Sequence, residues 1–225
     1  MSRKAIIAAV VVVVVGVAGA IWVFTRGSGR SVYVQGDAIK YREQGEFLLN
    51  KRRHATSVTE KADLLSQAIA QFKQALTAKP DFEVAFNMLG HCYIERGQWE
   101  DALKNLDQAL QIRPDYPAAR YNRGRLYQQL SVTKRDNALI DKAIADYQAA
   151  MQSELAANFI GDIHKSLADA YRQKNDYGRA IEQLQLYMQK SPHAADSSTV
   201  QRKIRGLELM QQGAVSPEEG QQPGK

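Results

Sequence analysis

Two patterns of hydrophobic and polar positions divide this chain. From Ala5 to Phe24 no residue is charged, and residues 10–15 are consecutive valines. From about Val34 onward, apolar residues instead recur every three or four positions among charged ones. The first pattern predicts one helix that is apolar all round. The second predicts a series of amphipathic helices, each with one buried face.

The amphipathic part repeats itself at a fixed interval. A small residue is followed by a tyrosine, then by an alanine in the next helix, and finally by a proline. The two sets with identical gaps are Gly90, Tyr93, Ala102 and Pro114, and Ala168, Tyr171, Ala180 and Pro192. Self-similarity of this kind is typical of stacked helix pairs, whose long surfaces usually bind other molecules.

The N-terminal apolar run has the length of a membrane span. As a helix rising about 1.5 Å per residue, it would reach roughly 30 Å, the hydrocarbon thickness of a bilayer. Trp22 lies near its far end, where an amphipathic ring suits the interface. We predict a basic N-terminus at residues 1–4, a transmembrane anchor at 5–25 and a flexible tether at 26–33.

A cleaved signal peptide is the alternative for this segment. Ala18, Gly19 and Ala20 form a small-residue cleavage site, but Ile21–Phe24 continue the apolar run beyond it, which favours an uncleaved anchor. A short basic N-terminus generally stays in the cytoplasm. We therefore expect a single-pass protein of a bacterial inner membrane, with its repeat domain extracytoplasmic.

The charge and cysteine content argue against nucleic-acid binding and against an internal disulfide. Of the net charge of +6, the first 30 residues supply most, through Arg3, Lys4, Arg26 and Arg30. The rest is nearly balanced, so no nucleic-acid partner is expected. A single cysteine, Cys92, excludes an internal disulfide.

Residues 83–116 resemble the tetratricopeptide repeat (TPR) family, a helix-turn-helix unit of about 34 residues. The signature positions are Phe86, Leu89, Gly90, Tyr93, Ala102, Leu106, Ala109 and Pro114. Residues 161–194 follow the same pattern, except that His164 and Tyr187 replace the usual residue types. The resemblance implies an all-α, right-handed α-solenoid.

Two further units carry an insertion between their helices. The insertions begin similarly, with Ser57–Lys61 in one and Ser131–Arg135 in the other. We expect them to lengthen helices or loops and to offer a second contact surface. The prediction is four repeats, a capping helix and a disordered tail. Their bounds are 34–82, 83–116, 117–157, 161–194, 197–212 and 213–225.

No motif in the chain indicates catalysis. There is no Gly-rich phosphate loop, nucleophile elbow or paired-carboxylate motif, so we predict no catalytic residue and no cofactor. The four histidines make no close sequence pair, and we expect them to be exposed or in a groove, without a metal. The residues expected to fill the core instead are Cys92, Tyr93, Tyr127 and Tyr171.

The resemblance also implies a binding groove, because the first helix of each repeat lines the concave face in this family. The side chains expected there are Arg42, Asn87, His91, Tyr121, Asn122, Arg125, Gln128, Lys165, Asp169 and Arg172. Such groups can hydrogen-bond the backbone of an extended peptide and receive its carboxylates. Asn87 and Asn122 echo the family's carboxylate clamp, but its full set of basic residues is absent.

The predicted function is a membrane-anchored, non-catalytic scaffold that recruits or organises partner proteins at a bacterial envelope. Its partners would be proteins or extended peptide segments. The alternative is a structural subunit of a larger membrane-embedded complex. In that case the anchor would pack against other helices, which Gly16 and Gly19 would allow to approach closely.

Overall fold

The computed structural model describes residues 35–190 and 194–213, and every regular element in them is a helix. The α-helices are α1 (Gln35–His54), α2 (Val58–Ala78), α3 (Glu83–Glu95), α4 (Trp99–Ile112), α5 (Pro117–Lys134), α6 (Asn137–Met151), α7 (Ile160–Gln173), α8 (Tyr177–Lys190) and α9 (Ser197–Gln211). A 3-10 helix, Glu154–Phe159, precedes α7. The all-helical prediction is thus confirmed for the described residues.

The predicted anchor and tether lie outside the described residues, as does the tail beyond Gly213. Among the helices that are described, none is both long enough and apolar enough to cross a bilayer.

The helices form two compact units, the first extending to Phe86 and the second beginning at Asn87. In the first unit, α1 packs along α2. Gly45 allows this approach, because a Cβ there would lie 2.5 Å from Cε1 of Phe72. Phe72 itself is fully buried.

The insertions lengthen helices. α1 and α2 have 20 and 21 residues, whereas α3 and α4 have 13 and 14. The second insertion extends α5 to 18 residues. Val132 and Thr133, from this insertion, therefore stand on the last turns of α5 instead of in a loop.

In the second unit, successive helices from α4 to α9 pack against one another. From α6 to α9, the buried side chains of this unit form a cluster in which Tyr147 and Ile163 are completely inaccessible. On α9, Val200 and Leu207 are buried, and Ile204 and Met210 pack partly against the same cluster. The last helix thus covers an apolar surface that α8 would otherwise expose, as a cap must.

The first helix of three repeats ends in the same way. One residue takes a left-handed conformation, and the next N–H donates back to a carbonyl in the last helical turn, which satisfies an end carbonyl. The left-handed residues are Gly97 (φ 72°), Arg135 (φ 52°) and Asn175 (φ 59°). The three returning bonds run from Gln98 to Tyr93, from Asp136 to Ser131 and from Asp176 to Tyr171, at 2.9, 3.0 and 2.9 Å.

One prediction about a single side chain was wrong, and a second holds only in part. His164 was expected to be exposed or in a groove, but it is 3% exposed, with Nδ1 lying 2.9 Å from Oε1 of Gln183 on α8. This hydrogen bond allows the ring to be buried. Tyr127 was expected in the core with Tyr93 and Tyr171, but it is only partly buried, and Lys142 Nζ lies 5.7 Å from its ring centre. Cys92 is fully buried, as predicted.

The crossing at Gly90 provides a test of the packing. A Cβ at Gly90 would lie 2.5 Å from Cγ of Leu106 and 3.4 Å from the carbonyl oxygen of Ala102. We expect Gly90→Leu to lower the free energy of unfolding by about 1–3 kcal/mol through overpacking. Thermal melting followed by circular dichroism measures this. Gly206→Leu is the matched control, since nothing lies within 4 Å of a Cβ at Gly206. Equal melting of the two variants would contradict the prediction.

Candidate partner-binding groove

α5 and α7 enclose a groove of about 440 Å³ within the second unit. Its lining residues are Arg125, Gln128, Gln129, Val132 and Thr133 from α5, and Ser166, Asp169 and Gln173 from α7. All but Val132 are polar or charged. The predicted residues Arg125, Gln128 and Asp169 are thus brought together here.

Arg125 is the cationic group of this groove. Its guanidinium lies 5.9 Å from the ring centre of Tyr121, a distance at which a cation–π interaction is still felt. Within the part of the chain that the structure describes, Arg125 makes no ion pair. Its planar fork of donors therefore remains available to a carboxylate from outside.

Gln173 supplies an acceptor without a donor. Its Oε1 is buried and forms no hydrogen bond with any described residue. A buried acceptor left in this way costs about 1–3 kcal/mol relative to a paired one. This oxygen is not itself exposed, so a ligand that supplies an N–H group would recover that energy only once the Gln173 side chain turns toward the groove.

Tyr121 supports the groove wall from behind. Its ring packs against Tyr147 and Phe159, with ring centres 5.8 and 5.7 Å apart. Ser166 Oγ donates a long hydrogen bond of 3.4 Å to the Tyr121 hydroxyl, which joins α7 to α5. Tyr121 thus holds the two walls together and places a ring beside Arg125.

Gln128 is anchored at one end of its amide. Its Oε1 accepts a hydrogen bond of 2.9 Å from the Tyr147 hydroxyl. Burial raises the pKa of Tyr147 well above its ordinary range, so this hydroxyl keeps the proton that it donates. The amide nitrogen of Gln128 is then the group left for a ligand.

The two predicted asparagines satisfy each other. Nδ2 of Asn122 donates to Oδ1 of Asn87 at 2.9 Å, which ties α5 to α3. Asn87 is only 4% exposed, so it is a buried structural residue and not an open groove side chain. His91, one turn further along α3, is partly exposed.

Lys165 lies away from the α5–α7 groove, against a second cavity of about 660 Å³. Its Nζ is 3.3 Å from Asp162 and 3.4 Å from Asp196, and 4.7 Å from the ring centre of Tyr187. Burial alone would lower the pKa of Lys165, but Asp162, Tyr187 and Asp196 together raise it. Its charge is therefore already compensated within the protein.

The remaining predicted residues are paired with neighbours. Asp169 lies 3.8 Å from Arg172 and 3.9 Å from Lys203 of α9. In the first unit, Arg42 Nη1 donates to Glu46 at 2.8 Å, and Nη2 donates to Glu43 at 3.1 Å. Arg42 is thus neutralised on its own helix.

Five lining residues were not predicted from the sequence. They are Gln129, Val132, Thr133, Ser166 and Gln173. Their spacing carries a signal, since Ser166, Asp169 and Gln173 follow one another at intervals of three and four along α7. The same spacing runs from Arg125 through Gln129 to Val132 on α5.

A buried ion pair fixes α5 relative to its neighbours, and no sequence motif indicated it. Arg123 Nε and Nη2 donate to the two oxygens of Asp146 on α6, at 2.7 and 2.8 Å. Nη1 donates to Asp107 on α4 at 2.7 Å. These carboxylates, Asp146 foremost, raise the pKa of Arg123 despite its burial. Arg120 Nη1 lies 3.6 Å from Asp146 as well.

Metal chemistry has no visible site in the described ranges. No three His, Cys, Asp or Glu side chains within them are grouped closely enough to hold an ion. The groove contains hydrogen-bonding groups, the carboxylate of Asp169 and the guanidinium of Arg125, which suit it to binding.

Comparison with known proteins places the chain among helical repeat proteins. A family model described as "Tetratricopeptide repeat" matches residues 61–106, and one described as "TPR repeat" matches residues 90–131. Among curated proteins, an uncharacterized protein ycf37 of Pyropia yezoensis is 39% identical over 59 residues, which is 26% of this chain and 33% of that protein. Protein FlbA of Caulobacter vibrioides is 33% identical over 88 residues, or 39% of this chain and 14% of that protein. The chain thus matches a third or less of the length of these relatives.

Solved structures agree on the fold. A thermophilic TPR protein of Thermus thermophilus aligns with a TM-score of 0.55 and 22% identity, over 78% of this chain and 87% of its own. PilF of Pseudomonas aeruginosa aligns with a TM-score of 0.63 and 16% identity, over 84% and 78%. MamA aligns with a TM-score of 0.56 and 21% identity, over 82% and 86%. At such identities the likeness concerns the fold alone. With the helix pairs described above, the two family models show that residues 61–131 of this chain consist of tetratricopeptide repeats.

Proposed function

We propose that this protein is a membrane-anchored scaffold that holds an extended segment of a partner protein in the α5–α7 groove. The observation that carries this is that one groove is lined by Arg125, which makes no ion pair with a described residue, and by Gln173, whose buried Oε1 has no hydrogen-bond partner among them. Tetratricopeptide proteins generally act as non-catalytic scaffolds, and the lining residues suit binding.

The groove chemistry favours an extended peptide that carries an acidic side chain or a terminal carboxylate. Its carboxylate would accept two hydrogen bonds from Arg125. One backbone N–H would donate to Gln173 Oε1, and hydroxyls of Thr133 and Ser166 lie along the same groove. A helix would keep its own N–H groups paired, so an extended backbone fits the unsatisfied acceptor better.

The apolar run Ala5–Phe24 supports the anchoring part of the proposal. Confining the scaffold and its partners to one plane raises their effective concentration without any new contact. A bacterial inner membrane, with the repeats on the extracytoplasmic side, is the setting that the short basic N-terminus favours.

Substitution of Arg125 tests the groove. We expect Arg125→Ala to reduce partner capture about tenfold or more, because charge-assisted hydrogen bonds contribute roughly 1.5–3 kcal/mol each. Capture is measured by tagging the full chain, solubilising it in mild detergent and quantifying co-purified proteins by mass spectrometry. Melting should change little, since Arg125 makes only a weak ring contact in the described structure.

Two companion variants sharpen the result. Lys104→Ala removes an exposed cation on α4 and should leave capture unchanged. Gln173→Leu should weaken capture while preserving or raising the melting temperature, because it removes an unpaired acceptor. Full capture by both groove variants would place the interface elsewhere. A stoichiometric set of proteins that survives Arg125→Ala would favour the structural-subunit alternative.

A further inference from the structure

We propose that the outward face of α1 lies on the surface of an anionic bilayer, with Ile39 and Phe47 entering the headgroup layer. This inference rests on the proposed membrane anchoring and deepens it. It gives the first unit a membrane contact of its own, separate from the apolar N-terminal run.

Both the side of α1 that meets α2 and the opposite side contain apolar residues. The side that meets α2 contains buried Ala38 and Gly45, with Tyr41 partly buried. On the opposite side, Phe47 is 67% exposed and Ile39 is 39% exposed. The two lie eight positions apart and so share one helix face. An exposed phenylalanine flanked by a second apolar residue indicates a contact surface.

The charges on this outward face are mainly basic. Lys40 and Lys51 flank Phe47 on the helix surface and are exposed, and neither has a carboxylate partner among the described residues. Arg53, in the last turn, is exposed as well. Two acidic residues lie among them, Glu43 and Glu46, and both accept hydrogen bonds from Arg42. A cation near an anionic surface is attracted to it.

The position of α1 in the chain indicates that a bilayer covers the outward face of this helix. The apolar run ends at Phe24 and α1 begins at Gln35. An intervening segment of about ten residues reaches at most roughly 35 Å, even when fully extended. An anchored chain therefore keeps α1 close to the headgroups.

Spin labelling of the full chain in vesicles tests the contact. Phe47→Cys is made in a Cys92→Ala background, labelled with a nitroxide and reconstituted into phosphatidylcholine vesicles containing phosphatidylglycerol. We expect the label at position 47 to collide more with oxygen, and less with a water-soluble nickel chelate, than a label at Lys104→Cys. Equal accessibility at the two positions would overturn the proposal.

A charge-reversal variant tests whether anionic lipid attracts the lysines of α1. Lys40→Glu combined with Lys51→Glu should raise nickel accessibility at position 47 severalfold, because both cations become repulsive to the anionic surface. Unchanged accessibility in this variant would overturn the anionic-lipid part. Both changes are at exposed positions, and circular dichroism confirms folding.

Extraction with alkaline carbonate separates this inference from the proposed function. A chain that is retained in vesicles, but whose position 47 is open to the nickel chelate, overturns only the α1 contact. If carbonate releases the chain, the anchor is overturned. The α1 contact is then judged separately, from the oxygen and nickel accessibility of the label at position 47 measured before extraction.

Discussion

Arg123→Ala is expected to lower the free energy of unfolding of the second unit by about 3–5 kcal/mol, because it leaves a buried carboxylate without its main partner. Asp146 is 5% exposed and receives two short hydrogen bonds from Arg123. Arg120, at 3.6 Å, replaces only part of that interaction. Urea titration of the full chain, followed by circular dichroism, measures the loss.

The matched control removes the solvent-exposed ion pair that Arg123 makes with Asp107. Asp107 is half exposed and accepts a single hydrogen bond from Arg123. Asp107→Asn should therefore cost about 1 kcal/mol or less, as solvent-exposed ion pairs do. Similar losses for the two variants would show that Asp146 does not depend on Arg123.

Tyr147→Ala is expected to be comparably severe, at about 3–5 kcal/mol, because it leaves a cavity in the middle of the core. Tyr147 is fully buried and packs against Gly124, where a Cβ would lie 2.7 Å from its Cε1. It also holds Gln128 by its hydroxyl. We expect this variant to lose partner capture together with stability, as measured by melting and co-purification.

Tyr147→Phe separates the ring from the hydroxyl. It keeps the packing against Gly124 but leaves Gln128 Oε1 without its donor, so the expected loss is only about 1 kcal/mol. Capture should fall more than this loss of stability explains, since Gln128 is no longer oriented. If Tyr147→Phe melted as low as Tyr147→Ala, the cavity argument would be wrong.

Helix positions could be predicted from the sequence because they depend on local periodicity. The apolar spacing around Gly90 and Ala102 places α3 and α4, and Gly97 ends the first of them with a positive φ. The same logic places the capping helix α9 and the buried Cys92. Periodicity specifies which face of a helix is apolar, and the apolar face becomes the core.

The candidate groove could be predicted only in part. Arg125, Gln128 and Asp169, which the family resemblance assigned to a groove, lie together between α5 and α7. Asn87 and Lys165 do not join them, because their side chains are held by Asn122 and Asp196, which lie far away in the sequence. A polar side chain that such a partner satisfies looks the same in a sequence as one that is open to a ligand.

Local sequence is enough to specify the repeat: where its helices lie, where they turn and which small residues stand at their crossings. Those features follow from interactions between residues a few positions apart. Which polar groups remain unsatisfied is instead a property of the folded chain, as the buried Oε1 of Gln173 shows. Whether a charged side chain is paired depends on its distance from side chains on other helices, as for Arg123 with Asp146. The spacing of residues along one helix does not determine those distances.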